Sequence, residues 1–193
     1  SEVLYDLLDI MNGNCNAEIK LFSNNMKKIK TYKVLPLKIY VSTYYGRRYV
    51  LVWNYLFKRF AFYRLDRIKE SCKSNECINK NEMMMRADTV VQKLWGVSLG
   101  KENYIEKLEM TVRIANGEEY ILKRLEREKR NGTIQKLANG DYKFRAEVYD
   151  ASEMVPWIKT FTGRIVEIKC SNERVEKQIK EDFEMMKRIY EVR

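Results

Sequence analysis

Four arginines in two short segments carry the clearest chemistry in this 193-residue sequence. Arg47 and Arg48 lie in the segment GRRYVLVWN, and Arg64 and Arg67 lie in the segment YRLDRI. A guanidinium group stays charged at neutral pH and can hold two phosphate oxygens with parallel hydrogen bonds. Both segments are rich in strand-forming residues, so the sequence predicts an anion-binding surface across neighbouring β-strands.

Three further side chains complete the predicted ligand-binding set. Tyr49 follows the first pair of arginines directly, and Ser42 and Tyr45 lie just before that pair, where they are predicted to form the rim of the site. An aromatic ring at such a position can stack on a base. The predicted ligand-binding residues are therefore Ser42, Tyr45, Arg47, Arg48, Tyr49, Arg64 and Arg67.

Asp66 is assigned a supporting role among these arginines. A carboxylate repels phosphate, so Asp66 is predicted to fix an arginine or cap a turn. Side chains alternate along a strand, which places Arg64 and Asp66 on one face and Tyr63 and Arg67 on the other. The four arginines can share one site only where a bend or bulge intervenes. The alternative is an internal ion-pair network through Arg64 and Arg67, which can coexist with binding.

Positive charge is concentrated in one segment of the sequence. Residues 17–80 contain 15 Lys and Arg against four acidic residues, a net charge of +11, while the whole chain carries +10. Clustered Lys and Arg release counterions when they meet phosphates, which favours a polyanion as the partner. Aromatic residues interleaved with the charge could stack bases, although most are expected to be core. The competing interpretation is a solvated basic surface.

Several kinds of active site are excluded by composition. The chain has no histidine, which removes Ser-His-Asp and Cys-His catalysis and the usual zinc partners, and it has no glycine-rich phosphate loop. Cys72 and Cys77 do not form a C-x-x-C motif and are predicted to be reduced thiols in a polar connector, with a redox or metal role as the alternative. We therefore expect no metal, no cofactor and no enzymatic activity.

The sequence also bears on the compartment. It contains no run of about 18 apolar residues that could span a bilayer, and acidic residues near its start argue against a signal peptide. We expect a cytoplasmic protein. Position 1 is Ser rather than Met, which predicts a processed or truncated chain.

The first half of the chain is predicted to be a helix followed by a small β-domain. Residues 2–12 place apolar side chains at helical spacing before Gly13. From residue 17 to residue 69, strand-like runs separated by turn residues predict four or five antiparallel strands in a barrel or curled sheet. Pro36 would need an edge or strand-start position there. A polar connector then leads to a helix in EMMMRADTVVQKLWGVS that stops at Gly96.

The second half has a different order of elements. Strand, helix, strand, strand, helix and strand follow one another, which is the split β-α-β pattern of ferredoxin-like domains, and a long helix is added at the end. Trp157 and Phe161 are four residues apart and are predicted to support the core of this domain. The fold class is therefore α+β. The predicted parts are a lead-in helix at 1–16, a β-domain at 17–70, a linker with a helix at 71–104, and an α+β domain at 105–193.

These segments resemble the WYL-domain transcriptional regulators of bacteria. The resemblance is carried by VLPLKI, GRRYVLVW, YRLDRI and, before the last helix, WIKTFTGRIVEIKCSN. It implies that residues 17–70 form a WYL domain with an SH3/Sm-like barrel and that residues 105–193 form the C-terminal extension called WCX. Of the Trp-Tyr-Leu that names the family only the tyrosine is kept, at Tyr49, and Ala61 stands where an arginine is common.

The resemblance also implies a function. In that family the two domains sense a ligand, in studied members an oligonucleotide or single-stranded DNA. An N-terminal winged helix-turn-helix binds the promoter, and the proteins usually dimerise. We therefore expect an anionic ligand, which is an oligonucleotide, single-stranded DNA or a nucleotide, on the basic barrel of a homodimer. Promoter DNA would be bound by a helix-turn-helix that is absent from this chain, and no membrane is involved.

Two other functions stay open on the sequence alone. A stand-alone nucleic-acid-binding module would bind with a salt-dependent affinity but without a ligand-driven change of shape or dimerisation. A nucleic-acid-processing enzyme would need a metal or an acid–base constellation, for which only scattered carboxylates exist. Turnover of a labelled oligonucleotide with magnesium would reveal such an enzyme.

Overall fold

The chain forms two compact units, Ser1–Gln92 and Lys93–Arg193. The structure is a computed structural model that describes residues 2–23, 27–42, 46–100 and 104–191. Each unit holds one antiparallel sheet, and five helices accompany the two sheets within the described residues. The α+β class predicted from the sequence is confirmed.

The first unit is a five-stranded sheet, with one helix before it and one helix after it in the sequence. A 3-10 turn at Leu65–Arg67 separates its last two strands. The elements are α1 (Glu2–Asn12), β1 (Cys15–Ser23), β2 (Lys28–Ser42), β3 (Arg47–Asn54), β4 (Arg59–Arg64), β5 (Ile68–Cys77) and α2 (Asn81–Val91). The strand order is β4-β3-β2-β1-β5, and each neighbouring pair is antiparallel.

The long strand β2 holds the sheet together because it pairs with β1 along its first part and with β3 along its second part. Pro36 lies in the second part of β2, where the pairing with β1 has already ended at Val34, so the β1 side of the strand is an edge at this residue, as the sequence predicts. The register with β3 shifts between Pro36 and Lys38. The position that this shift leaves without a partner in β3 is Leu37, whereas Pro36 lies opposite Val52.

β5 corrects the prediction of a polar connector after residue 70. Residues 68–77 form a strand that returns to pair with β1, with Cys15 opposite Cys77 and Ile19 opposite Ser71. Of the side chains described in β5 only Ile68 is buried, so this edge strand lacks the apolar alternation that marks a strand in sequence. Cys15 is disulfide-bonded, whereas Cys72 is a free, exposed thiol.

The core of the first unit lies between α1 and one face of the sheet. Leu7 and Ile10 of α1 pack with aliphatic side chains of four strands, among them Ile19, Val34 and Val50. Each fully buried side chain of this size contributes about 1.5–3 kcal/mol relative to an exposed one. α1 is thereby fixed over the sheet, and its first turn lies beside the candidate site described below.

α2 packs within the first unit through the buried Ala87 and two charged side chains. The Arg86 guanidinium carbon lies 4.9 Å from the centroid of the Trp53 ring, and Asp88 forms an ion pair with Lys38. The helix ends at Val91, before the Gly96 stop that the sequence predicts. Trp95 has left the helix and is buried in the core of the second unit, which explains the earlier end.

The second unit is a four-stranded sheet with three helices. Its elements are β6 (Glu106–Val112), α3 (Glu119–Glu128), β7 (Thr133–Lys136), β8 (Tyr142–Val148), α4 (Val155–Lys159), β9 (Ile165–Cys170) and α5 (Glu173–Glu191). The strand order is β7-β8-β6-β9. In the core, the half-buried Trp157 ring contacts Phe144 and Phe161, each with ring centroids 5.2 Å apart, and Trp95 at 4.9 Å.

Candidate anion-binding site

The turn between β2 and β3 brings the first pair of arginines to the start of β3. Gly46 has a φ of +61° and donates its N–H to the Ser42 carbonyl over 2.8 Å. An L-residue in this left-handed conformation would cost about 1 kcal/mol or more. Ser42 pairs with Arg47 in the strand register, so it lies at the base of the turn. Tyr45 lies outside the described residues.

An open cavity of about 560 Å³ lies beside this turn. Its described lining consists of Val3, Gly46, Arg47, Arg48, Leu65, Asp66 and Ile68. The apolar side chains come from α1, the 3-10 turn and the start of β5, whereas the charged ones come from β3 and the 3-10 turn. Both arginines line the cavity although they are adjacent in β3.

Asp66 lies at the edge of the cavity in an ion pair. Arg64 Nε donates to Asp66 Oδ1 over 3.0 Å, and Arg64 Nη2 contacts Asp66 Oδ2 as well. The hydrogen bond from Arg64 lowers the pKa of Asp66, and the charges of Arg67 and Arg47 lower it further. The same bond raises the pKa of Arg64. One carboxylate thus faces several guanidinium groups, and the edge of the cavity keeps an excess of positive charge.

The other predicted ligand residues lie near the cavity rather than in its lining. Tyr49 pairs with Tyr40 and with Arg64 in the strand register. Arg67 is half-buried in the 3-10 turn, and Arg64 is engaged by Asp66. Of the predicted set, the structure brings Arg47 and Arg48 together in the cavity, with Asp66 beside them.

Sequence reasoning missed the apolar lining. Val3, Leu65 and Ile68 are ordinary core-type residues, and nothing in their local pattern marks a cavity. The one available signal was Gly46, since a glycine just before two arginines indicates a turn that presents them.

The chemistry that this site offers is anion binding by guanidinium groups. Within the described ranges, no cluster of three or more Cys, Asp or Glu side chains is arranged to hold a metal ion. In the same part of the chain, no helix combines the length and apolar character needed to cross a membrane.

Comparisons with known proteins rest on structure alone. No family model and no curated protein sequence matches the chain. Proteasome accessory factor B/C (PafBC) of Arthrobacter aurescens aligns with 95% of this chain at 12% identity and a TM-score of 0.43. A protein described as CRISPR Cas-related aligns with 98% of this chain at 9% identity and a TM-score of 0.59. The match to the CRISPR Cas-related protein shows a similar fold. The chain spans 26% and 52% of the lengths of these two proteins.

Proposed function

We propose that this chain is the ligand-sensing region of a WYL-type bacterial transcriptional regulator, and that its cavity binds phosphate groups of an oligonucleotide, single-stranded DNA or a nucleotide. One observation carries the proposal. Arg47 and Arg48 line the same cavity, and the carboxylate among its described lining residues, Asp66, is already engaged by Arg64.

The arrangement of both sheets supports the family assignment. The first unit has a helix, then strands in the spatial order β5-β1-β2-β3-β4, with a 3-10 turn before the last strand, which is the arrangement expected of an SH3/Sm-like barrel. The second unit has the order β9-β6-β8-β7, which is the order expected of a ferredoxin-like domain such as WCX.

The charges around the cavity favour a phosphate over a neutral ligand. Guanidinium groups form paired, charge-assisted hydrogen bonds with phosphate oxygens. The Asp66 carboxylate at the edge of the cavity is held in an ion pair with Arg64. An incoming anion therefore meets the guanidinium groups of Arg47 and Arg48. We propose that the protein binds its ligand without transforming it.

A switch requires that the ligand bind two arrangements of the regulator with different free energy. We propose that these arrangements belong to a homodimer, and that a helix-turn-helix domain of the regulator reads the difference on promoter DNA. A stand-alone nucleic-acid-binding module would bind the same ligand without such a difference.

The proposal is tested by titrating short fluorescent single-stranded DNA, with and without a 5′ phosphate, at several salt concentrations. Arg47→Ala/Arg48→Ala is expected to weaken binding of the phosphorylated strand by about tenfold or more and to reduce the salt slope by about one. Arg188→Ala is the control, because Arg188 is an exposed arginine of α5 in the second unit. Equal binding by the wild type and the double variant contradicts the site.

Two additions to that titration separate the alternative functions. Small-angle scattering with and without ligand is expected to show a change of shape or dimerisation, and an unchanged profile identifies a stand-alone binding module. The labelled strand incubated with magnesium is expected to stay intact, and its cleavage contradicts a binding-only role.

A further inference from the structure

A second cluster of aromatic and basic side chains lies at the other end of β3. β3 runs for eight residues from the cavity to the turn at residues 55–58, a distance of roughly 25 Å. The cluster, called the aromatic platform here, consists of Tyr32, Phe57 and Tyr63. The ring centroids of Tyr32 and Phe57 are 5.9 Å apart, and those of Tyr32 and Tyr63 are 5.8 Å apart.

The platform exposes the Phe57 ring to solvent, although phenylalanine side chains are usually buried. The Phe57 side chain is 52% exposed, and its neighbour Leu56 is 68% exposed. Tyr32 and Tyr63 are half-buried behind it and pack against the core of the first unit. The exposed Phe57 ring contacts Tyr32, which in turn contacts Tyr63, and its free area offers an apolar face on which a base can stack.

A buried asparagine holds the platform in place. Asn54 has no exposed surface; its Nδ2 donates to the Tyr63 hydroxyl over 2.5 Å, and its Oδ1 accepts the Phe57 N–H over 3.0 Å. Because Asn54 holds both the Tyr63 ring and the backbone of the turn that carries Phe57, the exposed Phe57 ring is preorganised and loses little conformational entropy on binding.

The turn itself carries backbone strain next to the exposed ring. Lys58 adopts a φ of +50°, a left-handed conformation that costs a residue with a Cβ free energy. The Arg59 guanidinium carbon lies 5.5 Å from the centroid of the Phe57 ring. Two cationic side chains therefore follow the exposed ring directly in the chain.

Further positive charge extends from the platform along β2. Lys28 and Lys30 alternate with Tyr32 on one face of the strand, about 7 Å apart from one residue to the next on that face. Neither lysine forms an ion pair with the described residues. Lys33, on the opposite face, does pair with Glu76 over 2.7 Å. The face that carries the platform is the one left cationic.

We propose that the aromatic platform, together with Lys28, Lys30 and Arg59, is a second binding surface that stacks unpaired bases of single-stranded nucleic acid. Its ligand is defined by this chemistry: flat bases for the rings and a phosphate backbone for the lysines. The surface is separate from the cavity, so it binds bases whether or not Arg47 and Arg48 hold a phosphate. A duplex, whose bases are stacked on each other, does not satisfy it.

The test compares a fluorescent single-stranded DNA with an abasic strand of the same length and the same number of phosphates. The wild type is expected to bind the base-containing strand more tightly than the abasic strand. Phe57→Leu keeps an apolar side chain but removes the ring, and it is expected to weaken binding of the base-containing strand at least about fivefold. The Phe57→Leu substitution is expected to leave binding of the abasic strand unchanged. Leu56→Ala, at the exposed neighbouring position, is the control and leaves both affinities unchanged.

A spectroscopic readout separates stacking from a change in folding. Single-stranded DNA that contains 2-aminopurine is expected to change its fluorescence on binding to the wild type and not on binding to Phe57→Leu, while both proteins show the same circular dichroism. Equal binding of base-containing and abasic strands by the wild type overturns the platform. Arg47→Ala/Arg48→Ala is expected to keep the preference for bases, so failure of the platform and failure of the cavity give different results.

Discussion

The two units of the chain differ in how they balance charge. The first unit holds 16 Lys and Arg against nine acidic residues, whereas the second holds 21 against 18. In the second unit, cations and carboxylates meet on the sheet, as where Glu109 contacts both Lys143 and Arg145. In the first unit the carboxylates are outnumbered. The difference supports the proposal that an external anion binds the first unit rather than the second.

The two units also use aromatic residues differently. The second unit buries Trp95, Phe144 and Phe161 around Trp157, so its rings form a core. The core of the first unit is largely aliphatic, and Phe57 remains exposed beside cationic side chains. The first unit also buries Phe60 against Trp53, so Phe57 is the phenylalanine that it presents to solvent by contrast.

The largest expected effect tests this division of roles. Phe144 is fully buried and contacts two tryptophans, so Phe144→Ala is expected to lower the free energy of unfolding of the second unit by about 3–5 kcal/mol. Phe57→Ala, the matched change at an exposed ring, is expected to cost about 1 kcal/mol or less. Urea unfolding monitored by tryptophan fluorescence measures both. Similar losses for the two variants contradict the comparison.

The next effect concerns a carboxylate of the second unit that is mostly buried. Glu153 accepts the backbone N–H groups of Gly96, Val97 and Ser98 over 3.0–3.2 Å. Glu153→Ala leaves these donors without their acceptor and is expected to lower the free energy of unfolding by about 2 kcal/mol. Glu184→Ala on the exposed face of α5 is the control and is expected to change the unfolding free energy by less than about 0.5 kcal/mol.

Glu153 also gives the second unit a pH dependence. Burial raises the pKa of Glu153, and the nearby Asp150 charge raises it further, although the backbone donors oppose the shift. A raised pKa in the folded state means that stability is greatest below the ordinary pKa of a glutamate and declines as pH rises through the raised pKa. Urea unfolding between pH 4 and pH 7 is expected to show that the free energy of unfolding of the wild type, relative to that of Glu153→Gln, declines as pH rises. The first unit has no counterpart of Glu153, because its nine acidic side chains are all exposed.

A smaller effect concerns the edge of the cavity. Asp66→Asn removes the carboxylate that faces Arg64, so binding of a 5′-phosphorylated strand is expected to strengthen about threefold or more. The free energy of unfolding falls by less than about 1 kcal/mol, because the pair is open to solvent. The Arg64 hydrogen bond lowers the pKa of Asp66, so this contribution is present at neutral pH and is lost as pH falls through the lowered pKa.

Asp88→Asn is the control for that change. Asp88 is another exposed carboxylate of the first unit. It lies on α2, away from the residues that line the cavity, and forms an ion pair with Lys38 of β2. Titration with the same 5′-phosphorylated fluorescent strand is expected to show no gain in affinity for Asp88→Asn. Equal gains for both variants would mean that total charge, rather than the cavity, determines binding.

The smallest effects are expected on α5. Lys177 and Glu181 form an exposed pair with a distance of 3.6 Å between Nζ and Oε1. Lys177→Ala is expected to change the free energy of unfolding by less than about 0.5 kcal/mol and to leave the salt slope of DNA binding unchanged. Lys30→Ala, in the first unit, is expected to reduce that slope by about 0.7. Equal slopes for the two variants contradict the assignment of binding to the first unit.

Much of the fold could be predicted from local patterns. The strands between residues 17 and 64 alternate β-branched and aromatic residues, and the elements of the second unit are bounded by clear turn residues such as Gly132 and Gly140. β5 could not be predicted, since Ile68 is the one buried side chain described in it. The change of partners along β2, which leaves one side of the strand open at Pro36, could not be predicted either, because it depends on where β1 ends.

The candidate site was predictable only in part for the same reason. Arg47 and Arg48 stand beside a turn signal, so local sequence places them at an exposed strand start. The cavity also needs Val3 and Ile68, which are 65 residues apart in the chain and meet only in the folded unit. Contacts between such distant segments follow from topology, which a local pattern does not contain.

The pairing of β1 with β5 has a mechanical consequence. The start of β1 lies opposite the end of β5, with Cys15 in register with Cys77, and the two strands are antiparallel. A pulling force applied at these two residues loads the ladder at one end, so its hydrogen bonds break one after another instead of sharing the load.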